Sequence, residues 1–265
     1  MDFKLLKLAI LLLTIQKSSS YKVIFAVNSG GEEHTDSNGI TYEKDTLKTG
    51  TTSDFGKNLL IIGRVDQADE LLYQTERYHT GTFGYELPLA GDGDYVLVLK
   101  FCEVYFNSPN LKVFDIVLNG DHTIVSDLDI YGVVGKGVAH DENVYFSVSR
   151  NRLYYKEEES EIRGGKVRIE FIKGYRDNPK INAVVLIKGD VNNIPKLPPL
   201  NAETEQPEQP FDIPSPEETE KSSKQRKTSG PKTQNPYSSM DDSWMLSIFI
   251  GIVAFIPLLF CLCRL

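Results

Sequence analysis

The chain has 265 residues, a formal net charge of −8 and hydrophobic residues at 40% of its length. Charged residues make up 25%, so the composition is that of a globular protein and not of a fully disordered one. The net charge is acidic, and the main part of the chain has no basic patch or basic-aromatic motif, which argues against nucleic-acid binding.

The N-terminus is predicted to be a secretory signal peptide, residues 1–20. Lys4 and Lys7 precede a short apolar stretch, and Ser18 and Ser20 are small residues suited to cleavage before position 21. The alternative is a buried N-terminal helix. That alternative would leave the following domain in the cytosol, because the C-terminal apolar segment would then act as a tail anchor.

Residues 21–196 are predicted to form one all-β domain, a jelly-roll-like β-sandwich. Short runs rich in β-branched and aromatic residues alternate with turn residues, and helical periodicity is weak apart from one short candidate at 66–73. Asn119–Gly120 is typical of a two-residue hairpin turn. The predicted strands are 21–27, 94–106, 112–118, 122–125, 144–148, 153–156, 166–172 and 183–188.

The domain contains a single cysteine, Cys102, so no disulfide can form within it. Cys102 lies in a predicted strand, and we interpret it as a small buried residue and not as a nucleophile. The four histidines have no metal-ligand spacing. The histidines are His34, His79, His122 and His140. No metal or other cofactor is therefore expected.

The C-terminal part is predicted to be a disordered stalk, 197–243, a transmembrane helix, 244–263, and a short cytosolic tail, 264–265. The stalk is rich in Pro and Glu, and it cannot bury enough apolar area to fold. The uncharged segment 244–263 is long enough to cross about 30 Å of hydrocarbon. Cys261 and Cys263 are either lipidated or apolar members of this helix.

The two termini together predict a single-pass type I membrane protein with its domain on the lumenal side. Five basic residues between 221 and 232 lie on that side, which disagrees with the positive-inside rule. The signal peptide outweighs them, because long domains are translocated largely regardless of charge.

Three aspartates offer an enzymatic alternative, a glycosidase that uses Asp127, Asp129 or Asp141. Such an enzyme holds two carboxyl groups about 5 to 9.5 Å apart across the scissile bond. Closeness in sequence does not establish that spacing, and acids in the loops of an acidic protein are usually solvated.

Adjacent aromatic residues, Tyr105 and Phe106, are the more informative candidates for binding. In a continuing strand their rings would point to opposite faces, and spacing alone favours one ring in the core and one at the surface. If the chain turns at 107–110, both rings can lie at the rim of a site.

Many segments resemble the malectin family, and the resemblance covers nearly the whole chain after the signal peptide. The matching segments are AVNSGGE (26–32), LYQTERY (72–78), FGY (83–85), YVLVLKF (95–101), EVYF (103–106), DLDI (127–130), AHDE (139–142), KGY (173–175), DNPK (177–180), SGP (229–231), NPY (235–237) and FIPLLFCLCRL (255–265).

The resemblance implies a non-catalytic lectin of the endoplasmic reticulum membrane. Such a protein would bind glucose disaccharide ends, as on diglucosylated high-mannose N-glycans, in early glycoprotein quality control. It would have ribophorin I of the oligosaccharyltransferase complex as a partner. A different alternative is a membrane adaptor that holds a protein partner and binds no glycan.

The resemblance also implies a sugar site of aromatic rings and one aspartate. Carried over by position, the site residues are Phe55, Tyr78, Tyr105, Phe106 and Asp177. Phe55 stands where the family has a tyrosine, so a stacking face is kept and a hydroxyl is lost. The stalk also departs from the family, since a Pro/Glu mixture replaces an unbroken run of glutamates.

Overall fold

The structure is a computed structural model that describes residues 21–189 and 194–200. The predicted signal peptide, most of the predicted stalk, the predicted span 244–263 and the predicted tail lie outside these residues. Within the described ranges, no helix is both long and apolar enough to cross a membrane.

The described chain is mostly β-strand, which confirms the all-β prediction. Its strands are β1 (Tyr21–Asn28), β2 (His34–Thr35), β3 (Thr41–Lys44), β4 (Thr51–Ser53), β5 (Glu76–Tyr78), β6 (Phe83–Pro88), β7 (Gly93–Cys102), β8 (Phe114–Leu118), β9 (His122–Leu128), β10 (Ala139–Ser149), β11 (Arg152–Tyr155), β12 (Glu158–Glu161), β13 (Lys166–Lys173), β14 (Lys180–Ile181) and β15 (Ala183–Gly189).

Helices are few and short in the described ranges. They are a 3-10 helix at Phe55–Asn58, α1 at Leu71–Gln74 and α2 at Ile130–Val134. The predicted helix 66–73 is therefore corrected: turns precede α1, and the extended backbone of Thr75 ends it.

Three sheets organise the strands. The largest has eight strands in the order β12-β11-β10-β7-β15-β1-β3-β2, the second has the order β6-β13-β8-β9, and a small third sheet has the order β14-β5-β4. The chain passes repeatedly between the two larger sheets, which agrees with a sandwich. In the large sheet, β3 runs parallel to β1. The pairs β1–β15, β15–β7 and β7–β10 run antiparallel.

The main core lies between the two larger sheets. The ring of Phe101 in β7 is 6.0 Å from that of Phe114 in β8 and 6.2 Å from that of Phe171 in β13. All three side chains are fully buried. Burial of each such ring stabilises the fold by about 1.5–3 kcal/mol, which holds the two layers together.

A second apolar cluster covers the other face of the eight-stranded sheet. Val98 and Val185 on that face pack with residues outside the sheet, including Tyr73 of α1 and Ile194. The centre of the sheet is therefore buried on both sides. This explains why β7 is almost continuously apolar and does not alternate.

Two differences from the predicted strands matter for function. The predicted strand 94–106 ends four residues early, at Cys102, and the chain then turns. The strands of the small third sheet, β4, β5 and β14, were not predicted. They are two or three residues long, which is too short to produce a visible alternation.

Candidate functional site

The small third sheet forms one side of the candidate site. Its central strand, β5, ends at Tyr78, which pairs with Thr51 of β4 and with Lys180 of β14. The Tyr78 side chain is largely buried. Three separate parts of the chain thus meet at this one tyrosine.

Phe55 follows β4 directly and begins the 3-10 helix. Its N–H donates to Ser53 Oγ at 3.2 Å, and Asn58 Nδ2 donates to its carbonyl at 2.9 Å. The next residue must be glycine, because a β-carbon on Gly56 would lie 2.6 Å from the carbonyl oxygen of Gln74. This close packing against α1 fixes where the Phe55 ring lies.

Tyr105 and Phe106 lie in the turn that follows β7. One carboxylate oxygen of buried Glu103 accepts both of their backbone N–H groups, at 2.8 and 3.1 Å. Lys136 Nζ donates to the Tyr105 carbonyl at 3.3 Å. Both rings are half-buried. Of the two sequence interpretations, the structure therefore has the turn, in which neither ring is sent into the core.

The rings of the candidate site form a connected group. Phe55 and Tyr105 have centroids 5.4 Å apart at an interplanar angle of 63°, and Tyr105 and Phe106 are 5.1 Å apart at 87°. Edge-to-face contacts of this kind are favourable because the positive edge of one ring meets the negative face of the other. We call Phe55, Tyr105 and Phe106 the aromatic platform.

Asp177 joins the platform through a buried lysine that sequence reasoning missed. Lys112 Nζ pairs with the Asp177 carboxylate, donates to the Asn178 carbonyl at 2.9 Å and lies 5.5 Å from the Phe106 ring centroid. The Lys112 side chain is 2% exposed and that of Asp177 is 19% exposed. Nothing in the sequence distinguished Lys112, which appeared only as the first residue of a predicted strand.

Electrostatics link Asp177 to Tyr78 as well. Burial is the main cause that raises the pKa of the Tyr78 phenol above its ordinary value, and the charges of Glu76 and Asp177 raise it further. A hydrogen bond with Thr51 acts in the opposite direction and is outweighed. Tyr78 thus keeps its proton and can serve as a donor beside a carboxylate.

A second buried lysine stabilises the small third sheet. Lys180, which is fully buried, pairs with Glu76 and donates to the Cys102 carbonyl. Burial lowers the pKa of Lys180, but the charges of Glu76 and Glu103 outweigh it, and the net shift is upward. The lysine therefore stays charged, and it ties β14 and β5 to the end of β7.

These contacts connect four of the five predicted sugar-site residues, Phe55, Tyr105, Phe106 and Asp177, and the charge of Asp177 acts on the phenol of the fifth, Tyr78. The half-buried rings can pack against the apolar C–H face of a pyranose. The partly exposed carboxylate of Asp177 can accept hydrogen bonds from its hydroxyl groups. Among the described residues, no group of His, Cys, Asp and Glu side chains could hold a metal ion.

Two of the three aspartates considered for catalysis have structural partners. Asp129 accepts the N–H groups of Gly132 at 3.0 Å and Asn110 at 2.5 Å. Asp141 pairs with Lys100 at 3.0 Å. In the described part of the chain, neither carboxylate forms a hydrogen bond or an ion pair with a residue of the aromatic platform.

The chain is similar in sequence to known proteins. A family model for the Malectin domain matches residues 23–184. The chain is 47% identical to Malectin of Danio rerio over 94% of this chain and 90% of that one. It is 48% identical to Malectin of Homo sapiens over 92% of this chain and 84% of that one.

Solved structures with a similar fold are more distant in sequence. The extracellular domain of ANXUR2 and the ANX1 ectodomain, both from Arabidopsis thaliana, superimpose with TM-scores of 0.53 and 0.54 at 21% and 20% identity. Each match covers 64% of this chain and 49% of that chain. The chain thus spans about half the length of these two solved chains, and at such low identity the likeness concerns the fold alone.

Proposed function

Because the chain belongs to the malectin family, we propose that it is a non-catalytic carbohydrate-binding protein whose site is the aromatic platform with Tyr78 and Asp177. The observation that carries this proposal is the meeting of half-buried rings with a partly exposed carboxylate, although these residues come from three distant parts of the chain. A sugar needs both features at once, stacking faces for its C–H groups and fixed acceptors for its hydroxyls.

The proposed ligand is a glucose disaccharide end, as on diglucosylated high-mannose N-glycans. A site that holds a buried acceptor rejects a sugar without the matching hydroxyl, because the acceptor is left without its hydrogen bond. In this proposal, Asp177 accepts and Tyr78 donates the hydrogen bonds that provide that discrimination. The rings provide contact area at low entropic cost, since an aromatic side chain has only two side-chain torsions to fix.

The proposed setting is the endoplasmic reticulum membrane, with the domain in the lumen and a role in early glycoprotein quality control. The predicted signal peptide and the predicted span 244–263 support this topology. The proposed partners are glucosylated N-glycans on nascent glycoproteins and ribophorin I of the oligosaccharyltransferase complex.

A calorimetric titration of the detergent-solubilised chain with nigerose, maltose and isomaltose tests the proposal. We expect saturable binding with a preference for the α1,3-linked nigerose. If a demonstrably folded chain binds none of the three sugars, the protein is not a lectin of this kind and the adaptor alternative takes its place. Release of free glucose from a diglucosylated oligosaccharide would instead identify a glycosidase.

A further inference from the structure

A cavity lies on the face of the eight-stranded sheet that carries the second apolar cluster. Its volume is about 450 Å³, and none of the five residues assigned to the sugar site lines it. Val98, Val185 and Ile187 of the sheet contribute apolar lining. The segment 195–198 forms part of its wall, held by Arg64, which donates to the Pro198 carbonyl at 2.6 Å through Nη2.

Three polar side chains of the cavity form a hydrogen-bonded group. Tyr73 donates from its hydroxyl to one oxygen of Asp141 at 2.8 Å. Lys100 Nζ donates to the Tyr73 hydroxyl at 3.0 Å and to the other Asp141 oxygen at 3.0 Å. The charges of Lys100 and Asp141 cancel locally. This group therefore suits a ligand that is itself uncharged and that can form hydrogen bonds.

Tyr42 is the unusual residue of this cavity. Its side chain is 1% exposed and it lines the cavity, yet in the described ranges its hydroxyl makes no hydrogen bond. Its hydroxyl oxygen is not among the buried polar atoms that lack a partner, so it is open to the cavity. Tyr42 therefore presents an unused donor to whatever occupies the cavity.

The acidic residues at the rim are already committed to other groups. Asp36 accepts the backbone N–H of Ile40 at 2.8 Å, and Asp69 accepts the N–H of Ser37 at 2.8 Å and its hydroxyl at 2.6 Å. These carboxylates fold the loop before β3. They are not gathered to hold a cation.

The remaining charges at the rim offer no site for an ion either. Arg64 gives its Nε, Nη1 and Nη2 atoms to backbone carbonyls. Asp66 and Lys196, both exposed, carry opposite charges. The lining thus combines apolar side chains with hydrogen-bonding side chains of nearly balanced charge, and β7 contributes both kinds through Val98 and Lys100.

We propose that this cavity is a second ligand site, for a neutral polyhydroxyl molecule the size of a mono- or disaccharide. Its volume falls in the range of about 300–1,000 Å³ that small-molecule sites occupy. The valine and isoleucine side chains suit the apolar face of a sugar ring, and Tyr42, Tyr73, Asp141 and Lys100 suit its hydroxyls. The proposal is independent of the function assigned to the aromatic platform.

Saturation-transfer NMR on the detergent-solubilised full chain, with glucose and with maltose as probes, tests the second site. Tyr105→Ala removes a central ring of the platform, and Tyr42→Phe removes only the unused hydroxyl of the cavity. We expect transfer to at least one sugar to persist in Tyr105→Ala and to fall several-fold when Tyr42→Phe is added. Tyr154→Phe, which removes a hydroxyl on β11 outside the cavity, is the matched control and should change nothing.

The same variants distinguish failure of the second-site proposal from failure of the sugar-site proposal at the aromatic platform. If the second site is absent, Tyr42→Phe and the rim-blocking variant Asn38→Trp leave the transfer that remains in Tyr105→Ala unchanged. If instead the platform is not a sugar site, Tyr105→Ala leaves the wild-type transfer intact while Tyr42→Phe still reduces it. Melting temperatures of each variant show that the chain is folded, and Phe106→Ala replaces Tyr105→Ala if that chain is not.

Discussion

The buried carboxylate of Glu103 accepts the backbone N–H of Tyr105 at 2.8 Å, just where β7 gives way to a turn. The same oxygen accepts the N–H of Phe106. One acid thereby sets the direction of two rings of the aromatic platform, although its own side chain is 1% exposed and faces away from solvent.

Glu103→Ala is expected to loosen this turn. Hydrogen bonds to a charged group are worth about 1.5–3 kcal/mol, and the free energy of unfolding should fall by about that amount. Sugar affinity should fall with it, since the rings lose their fixed position. Urea unfolding and calorimetry with nigerose measure the two effects. The control is Glu159→Ala, at a half-exposed ion pair on β12; equal losses in both variants would contradict the role given to Glu103.

Tyr105→Ala is expected to weaken sugar binding by about 1–3 kcal/mol, as for a central aromatic anchor. Tyr105 touches both other rings of the platform, so its loss removes stacking area and the support of its neighbours. Calorimetry with nigerose measures the change. Tyr154→Ala is the matched control on β11. A Tyr105→Ala chain that is folded and binds with wild-type affinity would remove this residue from the site.

Lys112→Met is expected to reduce both stability and sugar affinity. Removal of one partner of a buried ion pair costs about 3–5 kcal/mol, and the partial exposure of Asp177 should bring the loss of stability below that range. Asp177 would also lose the partner that orients it. The control is Lys44→Met, whose exposed pair with Glu32 is worth about 0–1 kcal/mol. A Lys112→Met chain that matches this control in unfolding and in nigerose binding would contradict the prediction.

Phe55→Tyr is expected to strengthen sugar binding, because it restores the hydroxyl that the family resemblance implies at this position. One neutral hydrogen bond contributes about 0.5–1.5 kcal/mol. The Phe55 ring is half-buried and packs at the edge of the second apolar cluster. Calorimetry with nigerose on both chains measures the gain. An unchanged affinity would mean that the missing hydroxyl has no part in binding.

Stability is expected to fall at alkaline pH. Burial raises the pKa of the Cys102 thiol from 9.0 to about 12, and burial, with the charge of Asp141 next, raises the pKa of Tyr73 well above 10.0. At pH values above the unfolded pKa of each group, the unfolded chain releases protons that the folded chain keeps. The free energy of unfolding therefore decreases as pH rises from about 9.

Urea unfolding at a series of pH values between 8 and about 11 checks this alkaline dependence. The midpoint should stay level below pH 9 and then decline. Cys102→Ala should remove the part of the slope that belongs to the thiol while leaving the part that belongs to the tyrosines. A midpoint that rises above pH 9 would contradict the assigned direction of both pKa shifts.

Much of the sandwich could be predicted from sequence because its strands are long and strongly patterned. β1, β8 and β13 lie within one or two residues of the predicted ranges, and Asn119 and Gly120 both have positive φ, as the predicted hairpin turn requires. The second layer over β7 was not predicted. A strand buried on both faces has the same continuous apolar sequence whatever covers it.

The sequence alone determined the all-β class, through β-branched and aromatic runs divided by turns, and the choice of candidate residues, through their resemblance to a family. Only the tertiary structure decided that Phe55, Tyr78, Tyr105, Phe106 and Asp177 meet. Their meeting depends on the buried side chains of Lys112 and Lys180, which pair with Asp177 and Glu76 far away along the chain. Such contacts leave no periodic pattern, because a buried ion pair is set by the packing of distant strands and not by the residues next to it.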